Sequence, residues 1–134
     1  MTGPVLVPGD PGPAVREFLA PLITAKYPST RVAANLSPKW TPSTWAPELV
    51  VFDDGGPIRY PVETLPHVRI TVWGSGHDVV WSIAGYALGL LLSRRVDGIA
   101  KVLPSTGLLE ARDDRNGGLM CSFSVRTRVR TVPA

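Results

Sequence analysis

The clearest pattern of hydrophobic and polar positions lies near the C-terminus, in residues 121–132. Apolar side chains take alternate positions there, at Cys121, Phe123, Val125 and Val129. A period of two is typical of a β-strand with one buried and one solvated face. The same alternation predicts a second strand over residues 67–73. Its apolar positions are Val68, Ile70 and Val72.

Two other segments space their apolar residues as a helix does. The first begins with Asp10 and Pro11, which are typical of the N-cap and the first helical position. Its apolar stripe consists of Val15, Phe18, Leu19, Leu22 and Ile23. We expect Pro21 to kink or split this helix and Pro28 to end it. A second, longer helix is predicted over residues 77–95.

Shorter strands and loops join these elements. Further strands are predicted over residues 31–36, 48–53 and 99–103. The loop 37–47 carries three prolines and two tryptophans, and we expect it to pack through its aromatic side chains. These side chains are Trp40 and Trp45.

The order of the elements predicts an α+β fold. An extended, proline-bearing N-terminal arm, residues 1–9, precedes one mixed or antiparallel β-sheet with two helices packed on one face. The length of 134 residues and the hydrophobic content of 44% fit a single domain, residues 1–134, with its own core.

Composition narrows the class of protein. The net charge of +3 is mild and permits a nucleic-acid partner without requiring one. Eleven of the fourteen basic residues are arginine, which favours bidentate contacts. A single cysteine excludes an internal disulfide. With no signal-peptide pattern, and with a longest apolar stretch too short for a bilayer, we expect a soluble intracellular protein and no membrane partner.

No combination of residues predicts catalysis. The turn Gly74-Ser75-Gly76 lacks the third glycine of a dinucleotide-binding motif, and neither histidine has metal ligands near it in sequence. The acidic pairs Asp53-Asp54 and Asp113-Asp114 lie beside glycines, as turn residues do. Cys121 is expected to be a small core residue. We therefore expect a protein that is not an enzyme and holds no cofactor and no metal.

An arginine row is the most informative polar feature. The alternation places Arg126, Arg128 and Arg130 on one face of the last strand, about 7 Å apart. Three like charges in a row repel one another and require carboxylates or phosphates opposite them. The row is therefore either a solvated sheet face with acidic neighbours or a surface that meets another subunit or nucleic acid.

A polar tip precedes the last strand, in residues 112–118. It begins with Arg112, Asp113, Asp114 and Arg115 and ends in glycines after Asn116, a strong hairpin-turn signal. It is either an ordinary turn or a projecting tip that docks on a neighbouring subunit.

Taken together, five segments resemble a known family. They are a helix like residues 14–22, a strand like 31–36, Pro-Glu-Leu-Val-Val-Phe-Asp-Asp-Gly-Gly (47–56), Val-Arg-Ile-Thr-Val-Trp-Gly (68–74) and Phe-Ser-Val-Arg-Thr-Arg-Val (123–129). With a long Ala-rich helix between the last two, this order resembles the tail terminator proteins of long-tailed bacteriophages, especially those that infect actinobacteria. The resemblance covers roughly residues 14–131.

The resemblance implies a structural role in the virion. Such proteins form a ring, commonly a hexamer, that caps the tail tube, ends its polymerisation and offers a docking surface to head-completion (neck) proteins. DNA passes through the ring without sequence-specific binding. The implied partners are further copies of the chain, the tail tube protein and the neck protein. The implied location is the tail or neck of the virion, and the host cytoplasm during assembly.

Two alternatives stay open at this point. One is another neck or tail component, either a head-completion or a tube protein. The other is a small basic nucleic-acid-binding module. A closed ring needs two complementary patches on each subunit, and the candidates are the arm, the tip and the arginine row. In such a ring we expect Arg126, Arg128 and Arg130 to face either the adjacent subunit or the lumen.

Overall fold

The computed structural model describes residues 3–134. Within these residues the chain forms two helices, α1 (Pro11–Lys26) and α2 (His77–Ser93). The strands, in chain order, are β1 (Leu6–Val7), β2 (Arg31–Ala33), β3 (Glu48–Asp53), β4 (Ile58–Arg59), β5 (Glu63–Thr64), β6 (His67–Gly74), β7 (Lys101–Arg112), β8 (Leu119–Arg130) and β9 (Val132–Pro133).

The strands β2 to β8 form one mixed sheet built around β8. On one side β8 pairs antiparallel with β6, and on the other side with β7. β3 pairs antiparallel with β6, and β2 pairs parallel with β3. β5 continues the line of β6 beside β8, in the same register, and β4 pairs with β5. The predicted α+β fold with a mixed sheet is confirmed.

Both helices pack on one face of this sheet. The strands supply the alternating apolar positions to the core, and the largest of these are Leu49, Val68, Ile70, Val72 and Phe123. The helices supply Val15, Leu19 and Ile23 from α1, and Val80, Ile83 and Leu91 from α2. Full burial of each such side chain contributes about 1.5–3 kcal/mol to folding. The predicted Asp10 cap is confirmed, because its Oδ1 accepts from Gly12 N at 3.0 Å.

A second apolar cluster covers part of the opposite face, which we call the outer face. Trp40 packs there on Val50 and Trp73, and its Nε1 donates to Ala46 O at 2.9 Å. The prediction that the loop 37–47 packs through its aromatics is thus confirmed for Trp40. It is wrong for Trp45, which is 43% exposed.

Three predicted boundaries need correction. Pro21 does not split the first helix, which continues to Lys26. The strand predicted over 31–36 ends at Ala33. The strand predicted over 99–103 is instead the twelve-residue β7, which passes through Pro104. A proline is accommodated there because β7 is an edge strand, so its missing N–H leaves no ladder bond broken inside the sheet.

The described part of the N-terminal arm folds back onto its own chain. β1 pairs antiparallel with β9, and Ala134 N donates to Val5 O at 2.9 Å. Gly9 permits this approach, because a Cβ there would lie 2.6 Å from Val129 Cγ1. Residues 1 and 2 of the predicted arm lie outside the described residues.

Candidate basic surface and assembly edge

The arginine row lies on the outer face of β8, where the alternation places it. Arg126, Arg128 and Arg130 are exposed, whereas the residues between and before them are buried in the core. Those buried residues are Val125, Thr127 and Val129. Burial of one face therefore fixes the direction of all three guanidinium groups.

Pairing with neighbouring strands extends the row in both directions. Lys101 of β7 is the register partner of Arg128. On the other side of β8, Glu63 is the partner of Arg130, and Arg59 is in turn the partner of Glu63. Paired residues of an antiparallel sheet project from the same face, so one lysine and one more arginine join the row.

Among residues 3–134, Glu63 is the one carboxylate placed between these cations. Its Oε2 lies 3.7 Å from Arg128 Nε, and this oxygen is buried without a hydrogen-bond partner in the described part of the chain. This contact neutralises part of the positive charge of the arginine row. The expectation of a solvated face with acidic neighbours is therefore met at one position of the row.

A groove runs beside the row between β4 and β7. It has a volume of about 270 Å³. Its charged and imidazole side chains are Arg59, His67, Arg126 and Arg128. Its remaining lining comes from Pro57, Leu65, Leu103 and Thr127. Several cations that converge on one concavity form a site for an anion.

The end of α2 carries further cations to the same end of the sheet. Arg95 and Arg130 line one hollow, and Arg94, Arg95 and Lys101 line the next. We define the basic surface as the seven exposed cations Arg59, Arg94, Arg95, Lys101, Arg126, Arg128 and Arg130. Three carboxylates accompany them, Glu63 beside Arg128 and both Glu17 and Asp97 beside Arg95.

The polar tip lies at the opposite end of β8 and does not contact the arginine row. Arg112, Asp114 and Arg115 are exposed. The prediction of a projecting tip needs correction at Asp113, which is 4% exposed. Its Oδ2 accepts from Trp73 Nε1 at 3.0 Å, because the turn folds back onto the outer face of β6.

Asp113 organises the turn around it. Arg115 donates to it from Nε at 3.2 Å and from its backbone N at 3.0 Å. The Arg115 side chain, followed by the Trp73 and backbone donors, lowers the pKa of Asp113 to about 2 against the opposing effect of burial. The carboxylate is ionised at neutral pH and is used for structure.

An exposed edge with apolar side chains forms a second candidate surface. β7 pairs with β8 on one side and has no partner strand on the other within residues 3–134. α2 runs above it, since His77 Nδ1 lies 2.7 Å from Glu110 Oε1 and a Cβ on Gly85 would lie 3.7 Å from Leu108.

Trp81 lies between those two contacts, one helical turn from each. It is 43% exposed and stacks on the His77 ring at 5.4 Å. Leu92 and Leu109 are also exposed along α2 and β7. We define the assembly edge as the unpaired edge of β7 together with Trp81, Leu92 and Leu109. Exposed apolar side chains beside an unpaired strand are typical of protein–protein contacts.

No group of three or more His, Cys, Asp or Glu side chains between residues 3 and 134 is placed to hold a metal ion. Neither of the two described helices is long and apolar enough to cross a membrane.

Comparison with known proteins identifies no relative of this chain. The chain matches no model of a protein family, and a search of curated proteins finds no similar sequence.

Sequence reasoning found three of the seven cations of the basic surface. It missed Arg59 and Lys101 because their places depend on strand register. The helix predicted over residues 77–95 ends with Arg94 and Arg95, but the sequence assigns them no place on this surface. Arg94 and Arg95 lie at the junction between α2 and β7, the strand that pairs with the arginine row. That position was the signal that could have identified them.

Proposed function

We propose that this protein is a structural component of a bacteriophage virion, a tail terminator that assembles into a ring on the end of the tail tube. The order of helices and strands supports this proposal, since it is the order on which the family resemblance rests. The ring ends tube polymerisation and presents a surface to the neck protein, and DNA passes through it.

The unpaired edge of β7 lies beside the exposed Trp81. This observation supports the proposed contact between copies of the chain. Buried aromatic side chains supply a large share of the binding energy in protein interfaces. A heterologous contact, in which this edge meets a different surface of the next copy, closes into a ring when the rotation between copies is a whole fraction of a turn.

Light scattering with negative-stain imaging over a range of concentrations tests this step. We expect a particle of several times the 14.4 kDa chain mass, seen as a ring. With tail tubes of the same virus added, rings are expected at tube ends. A single-copy protein at all concentrations that ignores tube ends contradicts the proposal, and long tubes formed by the protein alone favour a tube protein instead.

A matched pair of tryptophan variants locates the contact. Trp81→Glu is expected to weaken assembly by about thirtyfold or more, as the loss of an interface aromatic worth about 2 kcal/mol requires. Trp45→Glu is the control, because both side chains are 43% exposed and Trp45 lies on the loop 37–47, outside the assembly edge. Equal assembly of both variants would exclude the β7 edge as the contact.

A further inference from the structure

We infer that the basic surface binds the phosphate backbone of duplex DNA without reading its sequence. This inference goes beyond ring assembly and does not depend on it, because it concerns the surface of a single copy. Seven exposed cations meet three carboxylates there, and four of the groups that line its groove are Arg or His. Such an excess of charge is stabilised by an anionic partner.

Spacing favours a polyanion over a single small anion. Successive arginines of the row stand about 7 Å apart along the strand, and Arg59 stands about 10 Å across the sheet. In duplex DNA the phosphates of one strand advance by about 3.4 Å along the axis and also turn around it, so neighbouring phosphates lie farther apart through space, at a separation close to that of the arginines. The row can therefore contact several phosphates of one strand at once.

A second copy of the chain does not offer a matching acidic surface. Three carboxylates outside the basic surface already pair with an arginine: Glu48, Asp54 and Asp113. A fourth, Glu110, lies 2.7 Å from the imidazole of His77. Two others accept from backbone N–H groups: Asp10 and Asp53. The remaining two, Asp78 and Asp114, lie apart on α2 and the tip. Charge complementarity thus favours phosphate over self-contact.

The lining of the groove favours duplex over single-stranded DNA. Phe, Tyr and Trp are absent from the described residues that line it. Proteins that bind single strands stack the exposed bases on aromatic side chains. Tyr60, next to Arg59, is exposed but does not line the groove. Arginines in a groove without such platforms contact the backbone, which fixes position but reads no sequence.

Binding of a short labelled duplex over a series of NaCl concentrations tests the inference. We expect the logarithm of the affinity to fall with the logarithm of salt concentration with a slope of about −4 to −6, since each phosphate contact contributes about 0.9. Two duplexes of unrelated sequence are expected to bind equally. Absence of binding at low salt would overturn the inference.

The double variant Arg126→Gln/Arg128→Gln locates the contact. It is expected to reduce the slope by about 2 and to weaken binding equally for all sequences. Lys39→Gln/Arg112→Gln changes the net charge by the same amount outside the basic surface and is expected to leave the slope unchanged. An equal loss in both variants would mean a response to net charge alone and would overturn the site.

Three further measurements distinguish binding of duplex DNA from binding of single-stranded DNA, from binding of membranes and from assembly. Tighter binding of single-stranded DNA than of duplex would overturn the duplex inference, as would binding of anionic vesicles without binding of DNA. The third measurement uses Trp81→Glu, which is expected to keep the per-chain salt slope. Loss of its assembly with retained DNA binding would show that the two proposals stand or fall separately.

Discussion

Trp73 and Asp113 are joined by a hydrogen bond of 3.0 Å from the indole Nε1 to the carboxylate Oδ2. The bond links the outer face of β6 to the turn between β7 and β8, forty positions later in the chain. Both residues are buried, at 4% exposure each. The turn is thereby held against the sheet, next to the Trp40 ring that packs on Gly118.

Removal of the Asp113 carboxylate is expected to destabilise the fold. Asp113→Ala leaves the buried Trp73 N–H without its acceptor, and such a loss costs about 1–3 kcal/mol of unfolding free energy. Urea denaturation followed by tryptophan fluorescence measures it. Asp114→Ala is the control, because Asp114 is exposed, and a change within about 0.5 kcal/mol is expected there. Equal effects of the two variants would contradict a structural role for Asp113.

The same carboxylate makes stability depend on pH. Its pKa is lowered from 3.8 to about 2 in the folded chain, so the unfolded chain binds the proton first as the pH falls. The contribution is complete above the unfolded value and disappears as the pH falls to about 2. It is worth about 1–2 kcal/mol, less than the full shift implies, because Arg115 is exposed and water screens the pair.

Comparison with Asp113→Asn isolates this contribution. The difference in unfolding free energy between the wild type and this variant is expected to be constant from neutral pH to about pH 5 and to shrink toward pH 2. A difference that stays constant to pH 2, measured by urea denaturation at each pH, would show that the Asp113 pKa is not lowered.

Truncation of the two loop tryptophans is expected to lower the stability of the fold by very different amounts. Trp40→Ala opens a cavity above Val50 and Trp73 and should cost about 3–5 kcal/mol. Trp45→Ala removes a half-exposed side chain and should cost less than about 1 kcal/mol. Thermal unfolding separates the two variants. Comparable losses would mean that the loop packs on both side chains.

Cys121 is expected to be unreactive in the folded chain. Burial, aided by the nearby Glu110 carboxylate, raises its pKa to about 11, so its thiolate near pH 8 is about a hundredfold scarcer than that of an ordinary thiol. Because the chain has one cysteine, disulfide-exchange reagents report on this site alone. Labelling should be slow in buffer and fast in urea. Rapid labelling of the native protein would contradict the burial of β8.

The elements that the sequence predicts best are those with one buried face. β8 and β6 alternate apolar and polar residues because the helices cover one side of them, and α2 repeats its apolar positions for the same reason. The orientation of the arginine row follows from the same alternation. Local pattern and tertiary burial agree at these positions, which is why the prediction succeeds.

β7 was only partly predictable because its side chains carry no such signal. Most of its residues are exposed, and it contains Pro104 and Gly107. Two register shifts, between Pro104 and Thr106 and between Thr106 and Leu109, break its period further. Pairing with β8 holds it in place, and that long-range contact overrides weak local propensity.

The basic surface and the Asp113 site also depend on long-range pairing. Lys101 reaches the arginine row only through the register of β7 with β8. Asp113 is buried by Trp73, which lies forty positions away. No local sequence pattern encodes either of these long-range contacts. The sequence therefore predicts the turn but not the structural role of the Asp113 carboxylate.

The outer face of β8 changes character along its length, from Met120 in the Trp40 cluster to the open basic surface around Arg130. Copies in a closed ring are related by rotation about one axis, so a given patch recurs at the same height and radius in every copy. In the proposed ring, the cations of successive copies would therefore add into a continuous positive belt. The aromatic ends, beside a tip that carries charges of both signs, would recur as a separate belt at another height or radius.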